Sequence, residues 1–370
     1  MKTKTRNINK VADYVLHVVL VLLALLVLSG ILLSSCAKLA VETEQPISMS
    51  VKRPGTKAVV SNMADFQTQG NFGVFGYKTM ENVVTDDAYV VFSNQLVEYA
   101  TTNDPTNWIY TPLKYWDAKV GMWYGFIAYA PHSSVDGMSE PTFIKKNNAL
   151  GNYYSIDFTN IPAWQDAATG IDYMVSDPSN GKGADYVNNS NCTVNLTFRH
   201  ILALIDLKGY VADQQPYVIS NISVGSTDVD GRKVPNASDN AYRQGIQYDN
   251  DKNLIDPLVT PGAKGVAVWH TGSDISLDGT QPEFSNPEEP VTICSKLAFP
   301  FKVDKLYIKL NFSRNGVADE VEKPIDLSNI ESGKHYTIIL KFEGGDIVDI
   351  NVSEVQTWNV VNANHGVYNW

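Results

Sequence analysis

Cysteine, histidine and helical periodicity are all scarce in this chain of 370 residues, and each scarcity excludes something. Three cysteines, Cys36, Cys192 and Cys294, contain no Cys-x-x-Cys pair, so neither a zinc knuckle nor a dithiol redox centre is expected. Of six histidines, His17 lies in the leader and no two of the rest stand at metal-ligand spacing. His200 falls where strand alternation points inward and reads as a core residue. There is no Gly-x-Ser-x-Gly elbow, phosphate-binding glycine loop, His-Glu-x-x-His helix or dinucleotide glycine pattern. The chain is therefore not expected to be an enzyme, nor to need a cofactor or metal. Asp228, Asp230 and Gly231 lack the distal glutamate of a calcium loop and read as a hairpin turn.

What the chain has in quantity is aromatic residues and glycine: 19 Tyr, 13 Phe, 7 Trp and 25 Gly. Set in short alternating runs, these predict an all-β protein. The stretch Lys114–Pro131 shows the plan most openly. A turn at 118–121 is expected to join Tyr115 and Trp116 to a strand over Met122–Ala130 as a core hairpin, ended by Pro131. Met122, Tyr124, Phe126, Ala128 and Ala130 fall on one face and Trp123, Ile127 and Tyr129 on the other, so both faces should be covered, as in a central strand.

The N-terminus reads as an export signal. Lys2, Lys4, Arg6 and Lys10 precede an almost unbroken apolar run over Val15–Leu33, and Leu33-Ser34-Ser35-Cys36 fits a lipobox, which makes Cys36 the expected lipidation site. A membrane-spanning anchor is the competing reading, since a span needs about 20 apolar residues. The serines and cysteine at its end favour cleavage after residue 35. Acyl chains on Cys36 would then hold the protein at the outer membrane. Residues 1–35 carry +3 of the formal net charge of −11, which leaves −14 on residues 36–370 and argues against a nucleic-acid partner.

The rest divides into a tether and candidate first strand over 36–60, an N-terminal β-sandwich over 61–185, and a C-terminal β-sandwich with a tail over 186–370. Ile47, Met49 and Val51 alternate with Ser48, Ser50 and Lys52 in the first strand. Turn formers crowd 178–191, where the boundary is placed. A long strand is expected from Val194 to Leu204, and Leu306–Phe312 and His335–Phe342 alternate cleanly enough to predict antiparallel sheets with one wet face. Residues 271–290 read as a long acidic loop, and the tail after Trp358 as too polar for a strand. Trp164, in Ile161-Pro-Ala-Trp-Gln, is placed in a loop and is the candidate ligand contact. Cys192 and Cys294 can form a disulfide in an exported protein or remain as buried free thiols.

Four motifs in order carry a resemblance: Asn71-Phe-Gly-Val-Phe-Gly-Tyr77, Lys114-Tyr-Trp116 with the run ending Ala-Tyr-Ala-Pro131, Ile171-Asp-Tyr-Met-Val-Ser-Asp177, and Val194-Asn-Leu-Thr-Phe-Arg-His-Ile-Leu-Ala-Leu-Ile205. Together with the lipoprotein signal, the chain resembles the fimbrillin-like surface lipoproteins of Bacteroidetes, the subunits of type V pili. The resemblance implies two tandem transthyretin-like, Greek-key β-sandwich domains and a surface fimbria built by heterologous strand exchange. It also implies that a trypsin-like protease cuts near the N-terminus, here within the cluster Lys52, Arg53 and Lys57, after which a neighbouring fimbrillin subunit supplies the missing strand. Arg53 precedes Pro54, so the bonds after Lys52 and Lys57 are chemically better sites. Stalk, tip and anchor roles stay open. The alternative is a stand-alone surface lipoprotein that binds a glycan or host protein through residues such as Trp164.

Overall fold

The computed structural model describes residues 45–52, 70–80, 89–100, 108–117, 121–134, 138–148, 151–189, 192–226, 233–248 and 254–357. Cys36, Arg53, Lys57, the Asp228–Gly231 turn and the tail after Trp358 lie outside them. Among the described residues the protein is nearly all β, with two short helices, Gly183–Asn189 and Pro282–Ser285.

The first half builds a mixed sheet of eight strands. From one edge they run Ser179–Lys182, Met122–Ala130, Asn71–Met80, Tyr89–Tyr99, Trp108–Ile109, Ser48–Lys52, Thr193–His200 and Met174–Ser176. Val175 and Met174 pair back onto Tyr129 and Ala130, so the row closes on itself. Met122–Ala130 is a central strand with both faces covered, as its residues predicted. Met122, Tyr124, Phe126, Ala128 and Ala130 lie in one hydrophobic cluster and Ile127 and Tyr129 in another. It is not half of a hairpin with Tyr115 and Trp116, however. Tyr115 makes an isolated bridge to Pro46, and Met122–Ala130 pairs with Asn71–Met80.

The second half builds two sheets that share a core. The five-stranded one runs Asp346–Thr357, Lys334–Glu343, Ala203–Val211, Val291–Ala298 and Trp164–Asp166; the four-stranded one runs Ala267–Asp278, Pro216–Ser226, Leu306–Arg314 and Val317–Ile325. Leu306, Ile308, Leu310 and Phe312 from one, and Tyr336, Ile338, Leu340 and Phe342 from the other, all enter one cluster, so the alternation read from the sequence is the packing. A further sheet of four strands pairs Thr142–Asn148 and Gly151–Ile161 from the first half with Asn240–Tyr248 and Leu254–Thr260 from the second.

Several expectations need correction. The stretch Val194–Leu204 is two strands: Thr193–His200 belongs to the eight-stranded sheet and Ala203–Val211 to the five-stranded one, so the chain changes sheet between His200 and Ala203. Residues 178–191 hold the strand Ser179–Lys182 and the helix Gly183–Asn189; Ser, Asn and Gly read as turn formers, but here backbone pairing to Trp123–Phe126 overrides propensity. The acidic stretch from residue 271 continues the edge strand Ala267–Asp278, whose outer side needs no apolar residues. Among the described residues two pairings are parallel, Ser48–Lys52 with Thr193–His200 and Ala203–Val211 with Lys334–Glu343, so the sheets are not purely antiparallel.

A third cluster ties the halves together. Phe75, Ile127 and Tyr129 from the eight-stranded sheet, Phe158 and Tyr242 from the cross-half sheet, and Leu204 and Leu297 from the five-stranded sheet are all buried there.

Candidate functional site

The strand Ser48–Lys52 is short, begins the described chain and yet occupies an interior place in its sheet. On one side it pairs in parallel with Thr193–Thr197, from Ser48 opposite Thr193 to Lys52 opposite Thr197. On the other, among the described residues, Trp108 lies opposite Met49. The alternation of the sequence decides which way it faces: Ile47, Met49 and Val51 are 1%, 3% and 7% exposed, while Ser48 and Ser50 are only half-buried. By side-chain transfer values these three residues contribute roughly 5–9 kcal/mol, as an upper estimate.

Their pocket is aromatic and held in shape from outside the strand. Phe72 meets Trp108 edge-on at 4.9 Å and Phe198 at 5.4 Å, and Trp116 meets Tyr124 at 4.8 Å. Polar clamps fix the entry to the strand. The Ile47 N–H donates to the Lys114 carbonyl at 2.8 Å and the Ser48 N–H to the Cys192 carbonyl at 2.9 Å. The Tyr110 hydroxyl donates to the Ile47 carbonyl at 2.7 Å, and the Trp116 indole N–H to the Cys192 carbonyl at 3.0 Å. Burial pushes the Tyr110 phenol up to about 12, although the Lys114 backbone bond pulls the other way. Removing this strand would uncover a groove lined by Trp108, Val194, Leu196 and Phe198, with unpaired backbone groups on Thr193–Thr197.

The sequence-predicted sites are scattered. Lys52 ends the buried strand, with its backbone opposite Thr197. Trp164 is not in a loop: it begins the edge strand Trp164–Asp166, donates its indole N–H to the Pro235 carbonyl at 2.5 Å and packs against Trp269 and Phe301. Cys192 and Cys294 are not bridged to each other, so the disulfide expected as one alternative does not form. They sit in separate clusters, Cys192 beside the N-terminal strand and Cys294 against the core of the second half. Burial raises both thiols, Cys294 to about 11. His200 is buried against Asp172, with 2.9 Å between ring nitrogen and carboxylate, in agreement with its reading as a core residue. The Tyr110 and Trp116 clamps escaped the sequence reading. Their one signal was a polar edge on an aromatic next to the first strand's partner.

The fimbrillin-like family model matches residues 56–358. The chain belongs to the fimbrillin-like family. That makes it a fimbrial or adhesin-like subunit and implies a location at the cell surface. Among solved structures, a protein assigned to cell adhesion from Bacteroides uniformis is similar over 86% of this chain and 99% of its own, at 14% identity and a TM-score of 0.45. A fimbrial assembly protein from Parabacteroides distasonis is similar over 84% and 99%, at 12% identity and a TM-score of 0.37. Both likenesses are distant. No curated protein matches the chain.

Proposed function

We propose that this fimbrillin is a pilus subunit that polymerises by strand exchange, with Ser48–Lys52 as the strand that is lost and replaced. The carrying observation is the strand's position: it is buried and interior, set between Thr193–Thr197 on one side and Trp108 on the other. A cut just after it, at Lys52 or Lys57, would leave it bound only by non-covalent contacts. Its departure would expose an apolar groove and unpaired N–H and C=O groups together, and an extended segment from a second copy satisfies both. Donor and acceptor are different surfaces, so the contact propagates as an open filament.

In this reading the subunit is two β-sandwich halves that meet at the crossover between His200 and Ala203. It reaches the outer membrane as a lipoprotein acylated on Cys36. The buried third cluster between the halves supports such a role, because a filament must transmit force from one groove to the next.

Limited trypsin digestion of the purified chain tests the proposal. The expected product starts after Lys52 or Lys57 and forms ladders of heat-resistant oligomers in unheated gel samples. A synthetic peptide of residues 45–52 in excess should suppress them by refilling the groove. A trimmed chain that loses the strand and stays monomeric, or ladders indifferent to the peptide, would overturn it.

A further inference from the structure

We propose that the cleft walled by residues 162–164, 236–238 and 266–268 binds a neutral saccharide. Its volume is about 570 Å³, within the range of about 300–1,000 Å³ common to small-ligand sites. Main-chain bonds hold its three walls. Val234 and Pro235 pair with Gly265 and Lys264, the Ala163 N–H donates to the Ala237 carbonyl at 3.0 Å, and the Asn236 N–H donates to the Ala263 carbonyl at 3.1 Å. The shape is therefore set before any ligand arrives, which lowers the ordering cost of binding.

The lining selects the ligand class. None of its residues is charged, although the chain as a whole carries −11. A phosphate or carboxylate would meet no cation there and a cationic ligand no carboxylate, so a neutral ligand is favoured. One wall is the half-buried indole of Trp164, fixed by its bond to the Pro235 carbonyl and by ring contacts to Trp269 at 5.3 Å and Phe301 at 5.7 Å. Val266 and Val268 add an apolar surface that is 53% and 57% exposed.

Polar groups stand among these apolar ones. The Asn236 carboxamide lies over the bare Cα of Gly265, where an added Cβ would collide with its amide nitrogen. Among the described residues that carboxamide has no hydrogen-bond partner, so its donor and acceptor are both available, next to the exposed Ser238. Behind the wall the Trp269 indole N–H is buried and also without a partner among the described residues. A pyranose presents an apolar C–H face and a rim of hydroxyls that both donate and accept, which suits an indole wall with an amide and a hydroxyl beside it. This site is distinct from the N-terminal strand, and its occupancy does not depend on polymerisation.

The test is retention of the full chain on a printed array of neutral and acidic oligosaccharides, followed by calorimetric titration with the best-retained neutral one. Asn236→Ala and Val268→Asp alter exposed side chains. Gly265→Ala pushes the carboxamide aside at the movable end of its side chain. Each is expected to weaken binding about ten-fold or more, the loss of roughly one well-made hydrogen bond or apolar contact, with unchanged melting. Retention of acidic glycans alone, no neutral glycan above the Val268→Asp signal, or titrations indifferent to all three variants would overturn the proposal. So would displacement of the bound glycan by an apolar peptide at comparable concentration.

Discussion

Met49 lies opposite Val194 in a parallel register, both buried, within the strand that the proposed exchange removes. Its side chain fills the aromatic pocket, so Met49→Ala should leave a cavity and cost about 2–4 kcal/mol. Ser50, half-buried on the other face, should tolerate alanine within about 0.5 kcal/mol. Urea unfolding of the two variants checks the difference. Equal effects would mean that the strand is not held by its inward face. In the digestion assay Met49→Ala should also release the strand sooner.

Alkaline stability should reveal the clamp on that strand. Burial raises the Tyr110 and Tyr124 phenols from 10.0 to about 12, the latter against a hydrogen bond from the Asp117 N–H. A phenol whose folded pKa is raised contributes its full stability below the unfolded value and loses it as pH rises through the folded one. Between about pH 10 and 12 unfolding therefore releases protons that the folded state retains, and stability falls. Tyr110→Phe should flatten part of that fall while costing about 0.5–1.5 kcal/mol at neutral pH through the lost bond to the Ile47 carbonyl. Melting temperature against pH for wild type and variant measures both effects.

The buried pair Asp172 and His200 joins the segment before Met174–Ser176 to the end of Thr193–His200. Asp172→Ala would leave the imidazole without that partner and should cost about 1–3 kcal/mol. Asp172→Asn keeps an acceptor in place and should cost less. The double variant Asp172→Ala/His200→Leu should be less destabilised than the sum of its single changes, as expected of two side chains coupled through one buried contact. Additivity in a thermodynamic cycle would show that the two side chains are not coupled.

How far the residues alone revealed this fold follows from the period of their patterns. Where one face is dry and the other wet, as in Leu306–Phe312 and His335–Phe342, alternation gave both the strand and its inward set. Where both faces are dry, as in Met122–Ala130, the strand was legible but its partners were not, because pairing is decided by residues far along the chain. Edge strands such as Val317–Ile325 escaped for the opposite reason: Asp319, Glu320 and Glu322 are tolerated where no core face needs filling. The first strand was legible from Ile47, Met49 and Val51, yet nothing local indicates that it pairs in parallel with Thr193–Thr197. Trp164 was placed wrongly in a loop, since three residues of edge strand leave no periodic signal.

The thiols give the last prediction and also separate the halves. Cys192 is packed beside the N-terminal strand, and its carbonyl receives both the Ser48 N–H and the Trp116 indole. Cys294 is packed against the core of the second half, with its thiol raised to about 11 by burial. Thiolate is the reactive form, so at neutral pH in the native state both should resist iodoacetamide, and both should react on unfolding in urea without reductant. Mass spectrometry should find two carbamidomethyl groups on those residues only after unfolding. Because Cys192 adjoins the strand proposed to leave, removal of that strand should expose it first, and Cys294 should stay protected. Simultaneous labelling of both after trimming would mean that loss of the strand unfolds the whole chain rather than opening a groove, and strand exchange could not then proceed from a folded subunit.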